Sequence, residues 1–251
     1  MGLLYVGLFD FPRLNDLFFN GAFKRITSYF PNSELAHPDT GKAFVHSADI
    51  RTRMRIARKL LSEAGYSVKD GAMTHQETGE ALSFEILLSS SADEKVALFY
   101  KNTLKRLGVA ANIRTVDAAQ FTGRLDQFDY DIIMYRWINS LSPGAEQLNY
   151  WSSDAANRNG SRNYAGVADP EVDRLAGMIA QVKTRAELVK ATQALDLALI
   201  NGFYSIPLWY IGSDLIAHTP DLKNTDYVPM YGTVLESWWS EKGLGNDTLS
   251  R

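Results

Sequence analysis

Cysteine is absent from the 251-residue chain, and with it go disulfides, thiolate metal sites and any cysteine nucleophile. That absence leaves the compartment open, because many exported bacterial proteins carry none. Histidine is scarce: His37, His46, His75 and His218 are scattered, no pair sits at metal-ligand spacing, and HExxH is missing. Neither a metal nor a cofactor is expected. Positive charge is not in excess, since the formal net charge is -3 with both signs intermixed. The chain therefore offers no footprint for nucleic acid and no polybasic membrane patch. GxGxxG and GxxxxGK[ST] are also missing, so dinucleotide and P-loop readings fail on residues. Long apolar runs are lacking too. The opening MGLLYVGLF has no basic n-region and is interrupted by Asp10, Arg13 and Asp16; it reads neither as an export signal nor as a membrane span.

What is present is enough apolar residue content (45%) for one large domain or two small ones. The informative stretch is Tyr130–Trp151, YDIIMYRWINSLSPGAEQLNYW. Adjacent rather than alternating apolar residues from Tyr130 to Trp137 suggest a strand covered on both faces, placed centrally in a sheet. Ligands of open α/β sheets collect where such strands end. Tyr135, Arg136, Trp137, Asn139, Ser140 and Ser142 are therefore the first candidates for ligand contact. The competing reading makes Trp137 a core or rim residue and leaves Arg136 as a solvated or salt-bridged cation.

Around this stretch the chain is regular. Strand-like 82–88, helical 92–107, strand-like 111–116, helical 118–128 and strand-like 130–137 form a βαβαβ unit with right-handed crossovers. Before it lie a helix near 10–21, an aromatic-rich segment that needs a large packing partner, a loop over 31–47, a helix over 48–64 and a hairpin with turns at Asp70-Gly71 and Thr78-Gly79. After it, Asp169-Pro170 and the Thr184/Glu187 capping box open two amphipathic helices. A strand is expected over 204–210, at an edge or bulge because of Pro207, and a frayed tail ends in GNDTLSR. An enzyme reading would rest on Asp129/Asp131 or Glu146, but no nucleophile elbow, paired base or metal set accompanies them. The Asps read better as strand-start caps.

YRWINSLSPGAEQLNYWSS, SRNYAGVADPEVDRL, FYSIPLWY and ESWW, with the early FDFPRLNDLFFNGAFKRITSYFPNSELA, together resemble one family. They resemble the C-terminal half of family 5 extracellular solute-binding proteins of ABC importers, which bind dipeptides and oligopeptides. The match is to the YejA-type branch associated with oligopeptides and microcin C. The resemblance implies an α/β fold, the βαβαβ lobe of a type II, cluster C periplasmic-binding protein, with incomplete segments of the other lobe. Residues 1–47 would be first-lobe segment and linker, 48–203 the second lobe, and 204–251 a return to the first. It implies a periplasmic, non-enzymatic protein that holds an oligopeptide-like ligand by hinge closure and meets permease subunits. It also adds Arg162, Asn163 and Tyr164 as contact candidates, for which salt bridging and turn chemistry are the rivals. Missing first-lobe partners imply exposed apolar surface, with dimerisation or rearrangement to cover it. An oligosaccharide ligand, or a truncated remnant without binding of its own, are the alternatives. The family's Asp three residues after the Trp, which pairs with the peptide ammonium, is replaced here by Ser140, so the expected ligand has a blocked or differently held amino end or is not a peptide.

Overall fold

The computed structural model describes residues 7–40, 49–213, 215–225, 227 and 232–240; the start of the opening segment, the loop over 41–47 and the GNDTLSR tail lie outside them. A first helix, α1, runs Phe11–Phe19 with Pro12 in its first turn, where a missing N–H is tolerated. Asn20 ends it in the left-handed region (φ 50°). The Asn15 side chain then bridges the turn, Nδ2 donating to Phe23 O (2.9 Å) and Oδ1 accepting from Phe23 N (3.2 Å). This pins the short strand β1, Phe23–Arg25. Helix α2, Ile50–Glu63, is capped by Asp49, whose Oδ1 accepts from Arg51 N and Thr52 N, and it buries Met54, Ala57 and Leu61. The hairpin pairs β2 (Tyr66–Lys69) with β3 (Ala72–His75). Asp70 (φ 50°) and Gly71 (φ 82°) both take left-handed backbone, the two-residue turn whose twist matches that of paired strands.

The βαβαβ unit follows in the expected order: β4 (Ser83–Leu88), α3 (Glu94–Lys105), β5 (Ala110–Thr115), α4 (Ala118–Asp126) and β6 (Ile132–Ile133). All its strands are parallel, in the order β5-β4-β6. One placement differs from the sequence reading: β4 holds the centre, and the Tyr130–Trp137 run contributes only a two-residue edge. The ladder pairs Ile86 with Ile132 and Leu87 with Ile133, and β4 ends one residue later at Leu88, so the rest of the run has no strand to pair with. Alternate residues of β4 feed opposite faces. Ile86 and Leu88 join Val96, Ala97 and Tyr100 of α3, whereas Leu87 meets Phe121 and Leu125 of α4.

Beyond the sheet lie α5 (Glu146–Trp151), α6 (Ser153–Ala156), α7 (Pro170–Ile179) and α8 (Arg185–Gly202). Both expected caps form: Asp169 Oδ1 accepts from Glu171 N (2.8 Å), and Thr184 with Glu187 closes a capping box. Trp151, Val172, Leu175, Ile179, Leu188, Leu195 and Leu199 make a second core, reached from the N-terminal segment by Phe30 and Leu35. Strand β7 (Trp209–Ile211) pairs antiparallel with β1, so the strand expected over 204–210 is shorter and later. Residues 204–208 stay irregular around Pro207, whose ring removes a ladder donor. Trp209 is the packing partner the N-terminal aromatics required: Phe19, Phe23 and Phe11 lie 5.2, 6.0 and 6.2 Å from it. Leu8, Phe9, Phe11 and Leu14 share the core of Ile86 and Val96. Strands β8 (Leu222–Asn224) and β9 (Trp238–Ser240) form a further antiparallel pair. Along the chain from Ile211 onward apolar side chains face water, Leu215 at 94% and Leu235 at 80% exposure, with Ile211, Tyr227 and Trp239 also exposed.

Among the described residues no helix is long and apolar enough to cross a membrane, and no group of three or more His, Asp or Glu could hold a metal ion.

Candidate ligand-binding site

Past β6 the chain leaves the sheet at the carboxyl ends of the strands. Burial then alternates: Tyr135, Trp137 and Asn139 are half-buried, while Arg136, Ile138 and Ser140 are exposed, the period of two of an extended strand. Among the described residues the backbone of 135–139 makes no hydrogen bond to another element through its N–H groups. It is an unpaired edge at the rim of the lobe.

The inward side chains meet an aromatic cluster. Tyr135 packs edge-on against Tyr164 (centroids 4.6 Å) and Trp137 (5.5 Å). Trp137 lies 5.2 Å from Trp151 and 6.2 Å from Tyr29. Its indole Nε1 is buried without a hydrogen-bond partner, a state that costs about 1–3 kcal/mol until an acceptor arrives. Asn139 is spent internally: its Nδ2 donates to Tyr29 O (2.9 Å), while its Oδ1 accepts from Gln147 Nε2 (3.2 Å). Gln147 Oε1 in turn accepts from Trp151 Nε1 (2.9 Å). Ser140 Oγ accepts from Ser142 N (3.0 Å), a local turn that leaves both residues exposed. From the far side Arg185 clamps the loop, donating to Leu141 O while its guanidinium pairs with Glu34 (2.6 Å).

The 161–164 segment divides by residue. Asn163 is wholly buried, its amide donating to Ser152 O (2.9 Å) and Val167 O (2.8 Å) and accepting from Val167 N (2.9 Å). It holds the loop and has no face left for a ligand, which is the turn role foreseen as its rival. Arg162 and Tyr164, by contrast, stand at the rim. The Arg162 guanidinium is drawn to the Tyr150 phenol, with Tyr135 and Tyr164 close by, and these raise its pKa. Burial, then the neighbouring Tyr135, pushes the Tyr164 phenol up to about 12. Tyr29 and Tyr150 belong to this cluster but were not among the sequence candidates. Tyr29 comes from 110 positions before Asn139, beyond any local signal, whereas Tyr150 lay inside the stretch.

The carboxylates proposed for catalysis are committed elsewhere. Asp131 Oδ2 accepts from Glu85 N (2.8 Å), capping β4, and Asp129 pairs with Arg124 (2.9 Å). Glu146 Oε1 accepts from Gly144 N (2.8 Å).

A parallel sheet with helices on both faces, opening at its strand ends onto an aromatic rim with unpaired backbone, is a lobe of the periplasmic-binding-protein class. The chain belongs to the bacterial extracellular solute-binding proteins, family 5, whose middle-region model matches residues 7–159. It is 40% identical to protein y4wM of Sinorhizobium fredii, over 92% of this chain and 39% of that protein. It is 37% identical to the probable peptide-binding protein YejA of Agrobacterium fabrum, over 93% of this chain and 42% of that one. Among solved structures it shares its fold with the oligopeptide-binding protein AppA of Bacillus subtilis, there in complex with a nonapeptide. That match has a TM-score of 0.67 at 18% identity and covers 96% of this chain and 48% of AppA. The chain thus spans about two fifths of the length of these curated relatives.

Proposed function

We propose that this chain is part of the solute-binding component of an ABC importer, that it works in the periplasm without catalysing a reaction, and that its rim at 135–140 holds a peptide-like ligand. Residues 48–203 act as the second lobe in this reading. Residues 1–47 and 204–251 lead toward the first lobe in this reading, with Leu8, Phe9, Phe11 and Leu14 packed into the second-lobe core of Ile86 and Val96, and closure of the two lobes presents the ligand to permease subunits. The observation that carries the reading is the unpaired backbone of 135–139 beside the orphan Trp137 Nε1. A peptide backbone supplies regularly spaced acceptors and donors for such an edge, and the aromatic cluster encloses side chains of varied shape. Tyr135, Trp137 and Tyr164 give apolar contact, and Arg136, Ser140, Ser142 and Arg162 give polar contact. The test is thermal melting of the chain with acetylated tetrapeptides and with oligosaccharides of similar size: peptides raise the midpoint, and a shift with oligosaccharides alone would overturn the peptide reading.

Ser140 stands where an acid would pair with a peptide ammonium. Ser140→Asp is expected to raise affinity for free-amine peptides about tenfold, the scale of one charge-assisted hydrogen bond. Calorimetric titration measures it, and an unchanged affinity would remove Ser140 from the ligand's amino end. Leu215, Tyr227, Leu235 and Trp239 are exposed apolar side chains of the kind that self-association would cover. Sedimentation at rising concentration is expected to show a dimer, and a strict monomer at the highest concentration would count against it.

A further inference from the structure

Among the described residues neither Arg136 nor Arg162 makes an ion pair. Between Asp131 and Glu146 the sequence carries no acid at all, and both of those carboxylates are occupied by backbone N–H groups. Asp126 is near enough to act on the Tyr164 phenol but pairs with neither arginine. The rim is therefore made of donors: two guanidinium groups and the buried Trp137 Nε1.

Arg162 is the better placed of the two cations. Its backbone N donates to Asn149 O (3.2 Å). The residues on either side are locked: Ser161 Oγ donates to Ala155 O (2.5 Å), and Asn163 is tied to Ser152 and Val167. An exposed guanidinium on so fixed a loop, flanked by the Tyr150 phenol and by the Tyr135 and Tyr164 rings packed edge to face, is a preorganised fork of the shape that matches a carboxylate. We propose that Arg162, framed by Tyr135, Tyr150 and Tyr164, anchors a carboxylate of the ligand, and that this lobe selects acidic peptides whose amino end is blocked. Ser140 removes the counter-charge an ammonium would need, and Arg162 supplies the one a carboxylate needs. This rests on the peptide reading above and narrows it to one charge class.

The test is calorimetric titration of the 251-residue chain with three synthetic peptides: acetyl-tetraalanine amide, acetyl-tetraalanine with a free C-terminal carboxylate, and a variant of the amide in which glutamate replaces the second alanine. Wild type, Arg162→Gln and Arg162→Lys are compared. A carboxylate-bearing peptide is expected to bind wild type about tenfold or more tighter than the neutral one, the scale of a hydrogen-bonded ion pair. That advantage vanishes in Arg162→Gln and survives in part in Arg162→Lys, while the neutral peptide loses far less affinity in Arg162→Gln than the carboxylate-bearing one. Which acidic peptide gains identifies the carboxylate as terminal or side-chain. If the neutral peptide binds but a carboxylate adds nothing, or its advantage survives Arg162→Gln, the anchor is overturned and the peptide reading stands. If no peptide binds while an oligosaccharide does, both fall.

Discussion

Replacing Asp196 by alanine is expected to lower unfolding stability by about 3 kcal/mol or more, since orphaning each buried donor costs roughly 1–3 kcal/mol. Asp196 sits on α8 with no exposed surface. Its carboxylate accepts from Ser28 Oγ (2.8 Å), Tyr29 N (2.8 Å) and His37 N (2.9 Å). Removing it frees the 28–37 segment, which carries Tyr29, whose carbonyl holds Asn139 and whose ring packs on Trp137. Loss of stability and loss of peptide-induced melting shift should therefore occur together. Burial raises the Asp196 pKa, against the hydrogen bonds and His37, which lower it. A raised carboxylate contributes stability that is full below its unfolded value near 4 and is lost as pH rises through the folded value. The gap between wild type and Asp196→Ala in urea unfolding should widen as pH falls from 7 toward 4. A gap that narrows instead, or a cost below 1 kcal/mol at pH 7, would show that this carboxylate is not the clasp.

Trp151→Ala should cost about 3–5 kcal/mol, the range for deleting a large buried aromatic. Trp151 has no exposed surface, and its ring is packed by Tyr29 (5.0 Å), Trp137 (5.2 Å) and Tyr150 (6.3 Å). Its Nε1 also starts the hydrogen-bond chain through Gln147 to Asn139 and Tyr29. Trp151→Phe keeps most of the apolar volume but leaves Gln147 Oε1 unpaired, so it should lose roughly 1–3 kcal/mol. Chemical unfolding of both variants separates packing from the hydrogen bond. Equal losses would mean that the chain of polar groups carries the whole effect and that the ring carries none.

Much of the lobe was legible because its signals are local. The caps at Asp169 and Thr184, the Asp70-Gly71 turn and the alternation of helix and strand periods from Ser83 to Ile133 each depend on residues within a few positions of one another. The rim could be found for the same reason: a polar and aromatic cluster directly follows an apolar run. Its internal division could not. Asn139 and Ser140 are neighbours of similar polarity, yet one side chain is bonded to Tyr29 and Gln147 while the other faces water, and only the packing of α5 and the N-terminal segment separates them. Asn163 and Tyr164 divide in the same way.

The sequence by itself determined the order of strands and helices, their caps and turns, and which short stretch would carry the aromatic rim, because backbone propensity and side-chain period act over a few residues. Tertiary structure alone decided that β4 rather than β6 is central, that Trp209 receives the N-terminal phenylalanines, and that Asp196 clasps Tyr29 from 167 positions away. Those choices depend on which surfaces meet once apolar area is buried and each buried donor has found an acceptor, and no window along the chain contains both partners.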